Sequence, residues 1–194
     1  MKYLSAILVI IILWSNCLIS QEINPLAHPA EQVMMLANRN YYPIIHQLIE
    51  KAESEILIIM YQARTYPEHP EGVNEQLYQD LFNAVDRGVY VEIILDASSW
   101  NMGSTFQNLQ LANLLREGGV NVLWDPPDVT SHNKMLLIDD DIVVIGSTNW
   151  SYYALARNNE ISVMVKSPQL YQEVREYYNS IKQHSTYELI LDEE

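Results

Sequence analysis

The chain is acidic: among 194 residues, 25 are Asp or Glu and 11 are Lys or Arg, a formal net charge of −14 at pH 7. That balance argues against tight, non-specific binding of DNA or RNA, which depends on Lys and Arg neutralising phosphates, and against adsorption to anionic membrane surfaces. The single cysteine, Cys17, rules out an intramolecular disulfide.

In chain order, Lys2 precedes an apolar run from Leu4 to Trp14, followed by Ser15-Asn16-Cys17-Leu18-Ile19-Ser20. A short basic region and an apolar stretch of this length read as an export signal cleaved after Ser20. Two alternatives stay open: an uncleaved membrane anchor over residues 4–19, and lipidation at Cys17, for which Trp14 and Asn16 fit poorly. The remainder, 21–194, is sized for one domain with a substantial core.

Gln32–Leu36 reads as a first strand and Tyr42–Ala52 as a helix, with Ile45, Leu48, Ile49 and Ala52 on one face. Glu55–Tyr61 is a buried strand. Val73–Arg87 is a helix stopped by Gly88, and Val89–Leu95 the next strand. A loop over Ser98–Ser104 leads to a helix at Thr105–Glu117, ended by Gly118-Gly119; Val120–Trp124 is another strand. After a hairpin, Glu160–Val165 forms a further strand. Ser167-Pro168 supplies the cap and first residue of a final helix, with Leu170, Val174, Tyr177, Tyr178 and Ile181 as its apolar stripe. Strands separated by helices predict an α/β sandwich, and the hairpin makes its sheet mixed.

The chemistry concentrates in that hairpin. His132 and Lys134 are two apart, so on a strand they share a face; Ser147 and Asn149 are likewise two apart. Between them lie Met135–Ile138 and Ile142–Ile145, separated by Asp139-Asp140-Asp141. A two-residue turn at Asp140-Asp141 pairs Asp139 with Ile142, sets His132 opposite Asn149 and Lys134 opposite Ser147, and brings each pair to about 5 Å. Gly146 allows a ligand or another backbone to approach closely. A histidine can attack phosphorus, a lysine can neutralise phosphate oxygens, and Ser and Asn can donate hydrogen bonds to them. Singly each residue is more often structural; the whole set reads as a phosphodiesterase site.

His132, Lys134, Asp139, Gly146, Ser147 and Asn149 together resemble the HKD signature of the phospholipase D superfamily, whose members include phospholipases, single-motif bacterial endonucleases and a mitochondrial cardiolipin hydrolase group. The similarity runs from about Glu55 to Ile181. It implies an α-β-α sandwich, a mixed sheet with helices on both faces, and a phosphodiester hydrolase acting on a phospholipid or a nucleic acid. His132 would form a phosphohistidine, while Lys134, Ser147 and Asn149 would bind the non-bridging oxygens. Glu160 matches the family glutamate that orients the histidine ring. Asp139 falls on the opposite face by strict alternation and takes a supporting role.

A second histidine must protonate the leaving oxygen, yet none of His28, His46, His69 and His184 has a lysine two residues on. A single signature therefore implies a two-fold homodimer sharing one site. No metal ligand set is evident, so no cofactor is expected, and activity should survive chelator. Arg64 and Arg157, with Lys134, are candidates for a local positive field. The loop Thr65–Gly72 and the aromatics Trp150-Ser151-Tyr152-Tyr153 are candidates for tuning the substrate. The alternative to an enzyme is a non-catalytic phosphate-binding or interaction module on the same fold.

Overall fold

The aliphatic runs form the middle of a seven-stranded mixed sheet in a computed structural model that describes residues 27–191. The expected export signal at 1–20 and the alternative anchor at 4–19 lie outside the described residues. Among the described residues, no helix is long and apolar enough to cross a membrane. The elements are β1 (Gln32–Ala37), α1 (Tyr41–Lys51), β2 (Glu55–Met60), α2 (Val73–Asp86), β3 (Tyr90–Leu95), α3 (Met102–Glu117) and β4 (Asn121–Trp124). They continue with β5 (Lys134–Ile138), β6 (Ile142–Gly146), α4 (Tyr152–Ala156), β7 (Ile161–Lys166) and α5 (Pro168–Lys182).

Across the sheet the strands run β1-β7-β6-β5-β2-β3-β4. β2, β3 and β4 are parallel, with α2 and α3 as their crossovers, and every pairing from β5 to β1 is antiparallel. The central strands are apolar throughout because both of their faces are covered. One face packs Ile56, Ile58, Ile93 and Leu136 against Ile45 and Ile49 of α1, Leu77 and Leu81 of α2, and Leu111 and Leu115 of α3. The other packs Leu57, Ile59, Ile94 and Leu137 against Tyr171 and Tyr178 of α5. Helices therefore lie on both faces of the sheet, as in an α-β-α sandwich.

Three expectations need correction. α3 starts at Met102, not Thr105, because the Asn101 side chain caps it by accepting from the Ser104 amide at 3.4 Å. Tyr177 leaves the stripe of α5 and is half exposed, while Tyr171 takes the buried position. Most consequentially, Ile138 pairs with Ile142, so the hairpin loop is three residues, Asp139 to Asp141. Asp139 (φ 51°) and Asp140 (φ 64°) adopt the left-handed conformation that aspartate tolerates. A one-residue slip in pairing changes which side chains share a face, and Lys134 is no longer opposite Ser147.

Candidate active site

Because the hairpin does not gather the motif by itself, the segment leaving β2 does so. The Tyr61 amide donates to the Asn133 carbonyl at 2.8 Å, and the Trp150 amide donates to the Gln62 carbonyl at 3.0 Å. Residues 61–64 thereby bind both halves of the motif, the stretch around His132 on one side and that around Asn149 on the other.

His132 is exposed, and its imidazole lies 4.4 Å, centroid to centroid, from the Tyr61 ring. Lys134 is 8 % exposed. Its ammonium donates to the His132 carbonyl at 3.0 Å and lies 4.7 Å from the Tyr61 ring centroid, a cation–π contact. Burial pushes the Lys134 pKa down, opposed by the negative charges of Glu160 and Asp96. The histidine side chain is thus accessible, while the neighbouring cation is confined against an aromatic face.

Glu160 does not bond the His132 ring within this chain. Its carboxylate accepts from the Ser147 hydroxyl and, at 3.1 Å, from the Asn158 amide. The β6–β7 register causes this: Gly146 pairs with Ser162, and the Ser147 hydroxyl also accepts from the Ile161 amide at 3.1 Å. The close backbone approach allowed by Gly146 is to β7, since a Cβ there would lie 2.1 Å from Ser162 Oγ and 2.4 Å from its Cα. Asn149 borders a small cleft with Gln62, Arg64 and Gln107. Its Oδ1 is buried without a hydrogen-bond partner, an acceptor whose desolvation is uncompensated.

Asp139 sits at the opposite end of β5 from Lys134. Its carboxylate accepts from the amides of Glu53 (2.8 Å), Ser54 (2.8 Å) and Glu55 (3.1 Å) and from the Ser54 hydroxyl (2.8 Å). Burial alone would raise its pKa, but these bonds outweigh it and hold the carboxyl below its usual range. Trp150 is a core residue, its ring N–H bonded to Tyr41 at 3.1 Å, whereas Tyr153 is exposed. Arg64 stacks on Tyr66 at 4.6 Å and Arg157 on Tyr152 at 5.8 Å.

Sequence reasoning passed over Asp96 and Asp125. Both are buried beside the motif, and both accept from the Ser131 amide, at 3.0 and 2.9 Å. A signal was present: Ile93-Ile94-Leu95 and Val122-Leu123-Trp124 each end directly in an aspartate. Among the described residues, no group of three or more His, Cys, Asp or Glu could hold a metal ion.

Residues 45–182 match the family model described as cardiolipin synthase, PLD-like domain. A phospholipase D from Rickettsia typhi is 33% identical over 127 residues, which cover 65% of this chain and 55% of that protein. Cardiolipin synthase B from Salmonella typhimurium is 25% identical over 154 residues, covering 71% of this chain and 35% of that one. The chain thus spans about half the length, or less, of these curated relatives. In fold it is similar to Nuc from Salmonella typhimurium, a phospholipase D family member (TM-score 0.66, 20% identity, 80% of this chain and 97% of that one). It is also similar to NucT from Helicobacter pylori (TM-score 0.63, 18% identity, 80% and 98%). On the family match and the sheet architecture, the chain belongs to the phospholipase D superfamily.

Proposed function

We propose that the protein is a metal-independent phosphodiesterase acting through a phosphohistidine at His132. The observation that carries this reading is the pairing of an exposed His132 imidazole with the buried Lys134 ammonium, which donates to His132's own carbonyl. A lone pair of the imidazole forms the N–P bond as the P–O bond to the leaving group breaks, and the departing oxygen takes a proton from a general acid. Water then attacks phosphorus, giving its proton to the same group, now a general base, as the N–P bond breaks. Lys134, Ser147 and Asn149 offset the charge that builds on the non-bridging oxygens. Glu160 holds the Ser147 hydroxyl in place.

The general acid in this reading is His132 of a second copy. The other described histidines are engaged elsewhere: His28 with Glu173, His46 with Asp80 at 2.9 Å, and His69 beside Glu71 at 4.0 Å; His184 lines a surface cleft after α5. Supporting a two-fold pairing, Met35, Val163 and Ile145 form one transverse row across β1, β7 and β6, exposed and apolar, with Ile161 beside it. This strip adjoins Ser147 and Glu160, where a partner completing the site would lie.

Bis(p-nitrophenyl) phosphate tests the reading. The protein hydrolyses it in excess chelator, His132→Ala abolishes turnover, and rapid quench without acid traps phosphorus on the His132 ring. Binding of phosphate without hydrolysis would instead favour the non-catalytic module. Parallel assays on phosphatidylcholine, cardiolipin and single-stranded DNA identify the substrate as phospholipid or nucleic acid. Light scattering on the eluted protein checks the dimer; an active monomer would contradict it.

A further inference from the structure

β3 and β4 run parallel with Leu95 paired to Trp124, and the next residue of each strand is an aspartate. Asp96 is 0 % and Asp125 1 % exposed. Asp96 accepts from the Ser98 hydroxyl at 2.8 Å, and Asp125 from the Ala97 amide at 2.7 Å. Both accept from one donor, the Ser131 amide, so the two carboxyl groups meet at a single N–H. Among the described residues neither forms an ion pair with Lys, Arg or His. Two ionised carboxylates meeting at one amide in a dry site repel each other, and one proton held between them removes that repulsion.

Resting on the phosphodiesterase reading above, we propose that Asp96 and Asp125 are positioning residues. Sharing one proton, they grip the Ser131 amide and so fix the backbone that carries His132 and Lys134. The ionisable side chains facing the pair are His132 and Lys134, both within electrostatic reach of Asp96. The titratable Tyr61 lies against both on the β2 side. α3 offers only uncharged groups, Thr105 and Asn108, whose amide donates to the Asp96 carbonyl at 2.9 Å. The loop carrying Asp125 brings Asp128, and His184 borders the surface cleft that includes Ser131. Loss of the shared proton places two like charges on one amide, parts them, and frees Ser131. Turnover therefore falls as the pair becomes doubly ionised.

The test is the pH profile of bis(p-nitrophenyl) phosphate hydrolysis by the whole protein and two variants. In Asp96→Asn the side-chain oxygen keeps the bond from the Ser131 amide and the NH2 donates to the Ser98 hydroxyl oxygen, so the pair cannot become doubly ionised and the alkaline limb moves up by a pH unit or more. Asp125→Ala lowers kcat at least tenfold at every pH with KM within threefold of wild type. A wild-type limb in Asp96→Asn, or wild-type kcat in a folded Asp125→Ala, overturns the proposal. A carbon-13 titration of the aspartate carboxyls in the wild-type protein reads the pair without any activity. One of the two keeps its proton to neutral pH if the pair exists, and both ionising below pH 5 would also overturn it. Failure of wild-type hydrolysis would instead count against the phosphodiesterase reading alone.

Discussion

Asp139 matches the acid of the HKD signature that the hairpin resembles, yet its bonds place it with the fold rather than the chemistry. Its carboxylate ties the amides of Glu53, Ser54 and Glu55 to the hairpin loop, fixing the start of β2 against the end of β5. Hydrogen bonds to a charged group contribute about 1.5–3 kcal/mol each before the freed amides find water. Solvation returns much of that here, and the expected cost of Asp139→Ala is about 2–3 kcal/mol. Alanine is also strained at the left-handed φ of 51°, whereas Asp139→Asn tolerates it and isolates the charge at about half the cost. For a domain of this size the alanine variant should lower Tm by roughly 5–10 °C, measured by circular dichroism at pH 7. The sign with pH follows from the depressed folded pKa. The stabilisation is present above the unfolded value, about 3.9, and is lost as pH falls through the folded one, so variant and wild type should converge in acid. kcat of the folded fraction should stay within a few-fold of wild type. An unchanged Tm with a hundredfold loss of kcat would refute this reasoning and return Asp139 to the chemistry.

Gly146→Ala drives a Cβ into the Ser162 backbone and should cost about 1–3 kcal/mol in urea unfolding; Ser162→Gly in the same chain rescues it only partly, because the 2.4 Å contact to Cα remains. Lys134→Met removes a cation held away from water without a carboxylate in contact; kcat should fall a hundredfold or more while Tm holds or rises. Burial pushes the Asp125 carboxyl up to about 7, with the charge of Asp96 adding to it. Because the folded state then holds a proton that the unfolded chain releases near pH 4, its contribution to stability falls as pH rises from about 4 through 7. Asp125→Asn should flatten that slope in urea titrations across this range.

Most of the architecture was legible residue by residue. The runs Glu55–Met60 and Tyr90–Leu95, the stop at Gly88 and the Ser167-Pro168 cap are local signals, and each expected element formed within a few residues of its bounds, whereas the short α4 at Tyr152–Ala156 replaced an expected loop. The motif residues were legible as well, since residue type and spacing are properties of the chain. Their arrangement was not. The hairpin register turned on whether three consecutive aspartates make a loop of two residues or three, a choice settled when Asp139 found amide donors in Glu53 to Glu55, more than eighty positions away. That choice took Ser147 from Lys134 to Glu160 and left residues 61–64 to join the two halves of the site. The buried aspartates belong to the same class: each looks ordinary at the end of its strand, and only parallel pairing of β3 with β4 makes them neighbours. Local preference and hydrophobic period act within a few residues, so sequence alone determined the elements and the chemical groups. Hydrogen-bond partners for buried or charged groups come from distant segments, so the register, the carboxyl pair and the geometry around His132 were decided by the tertiary structure.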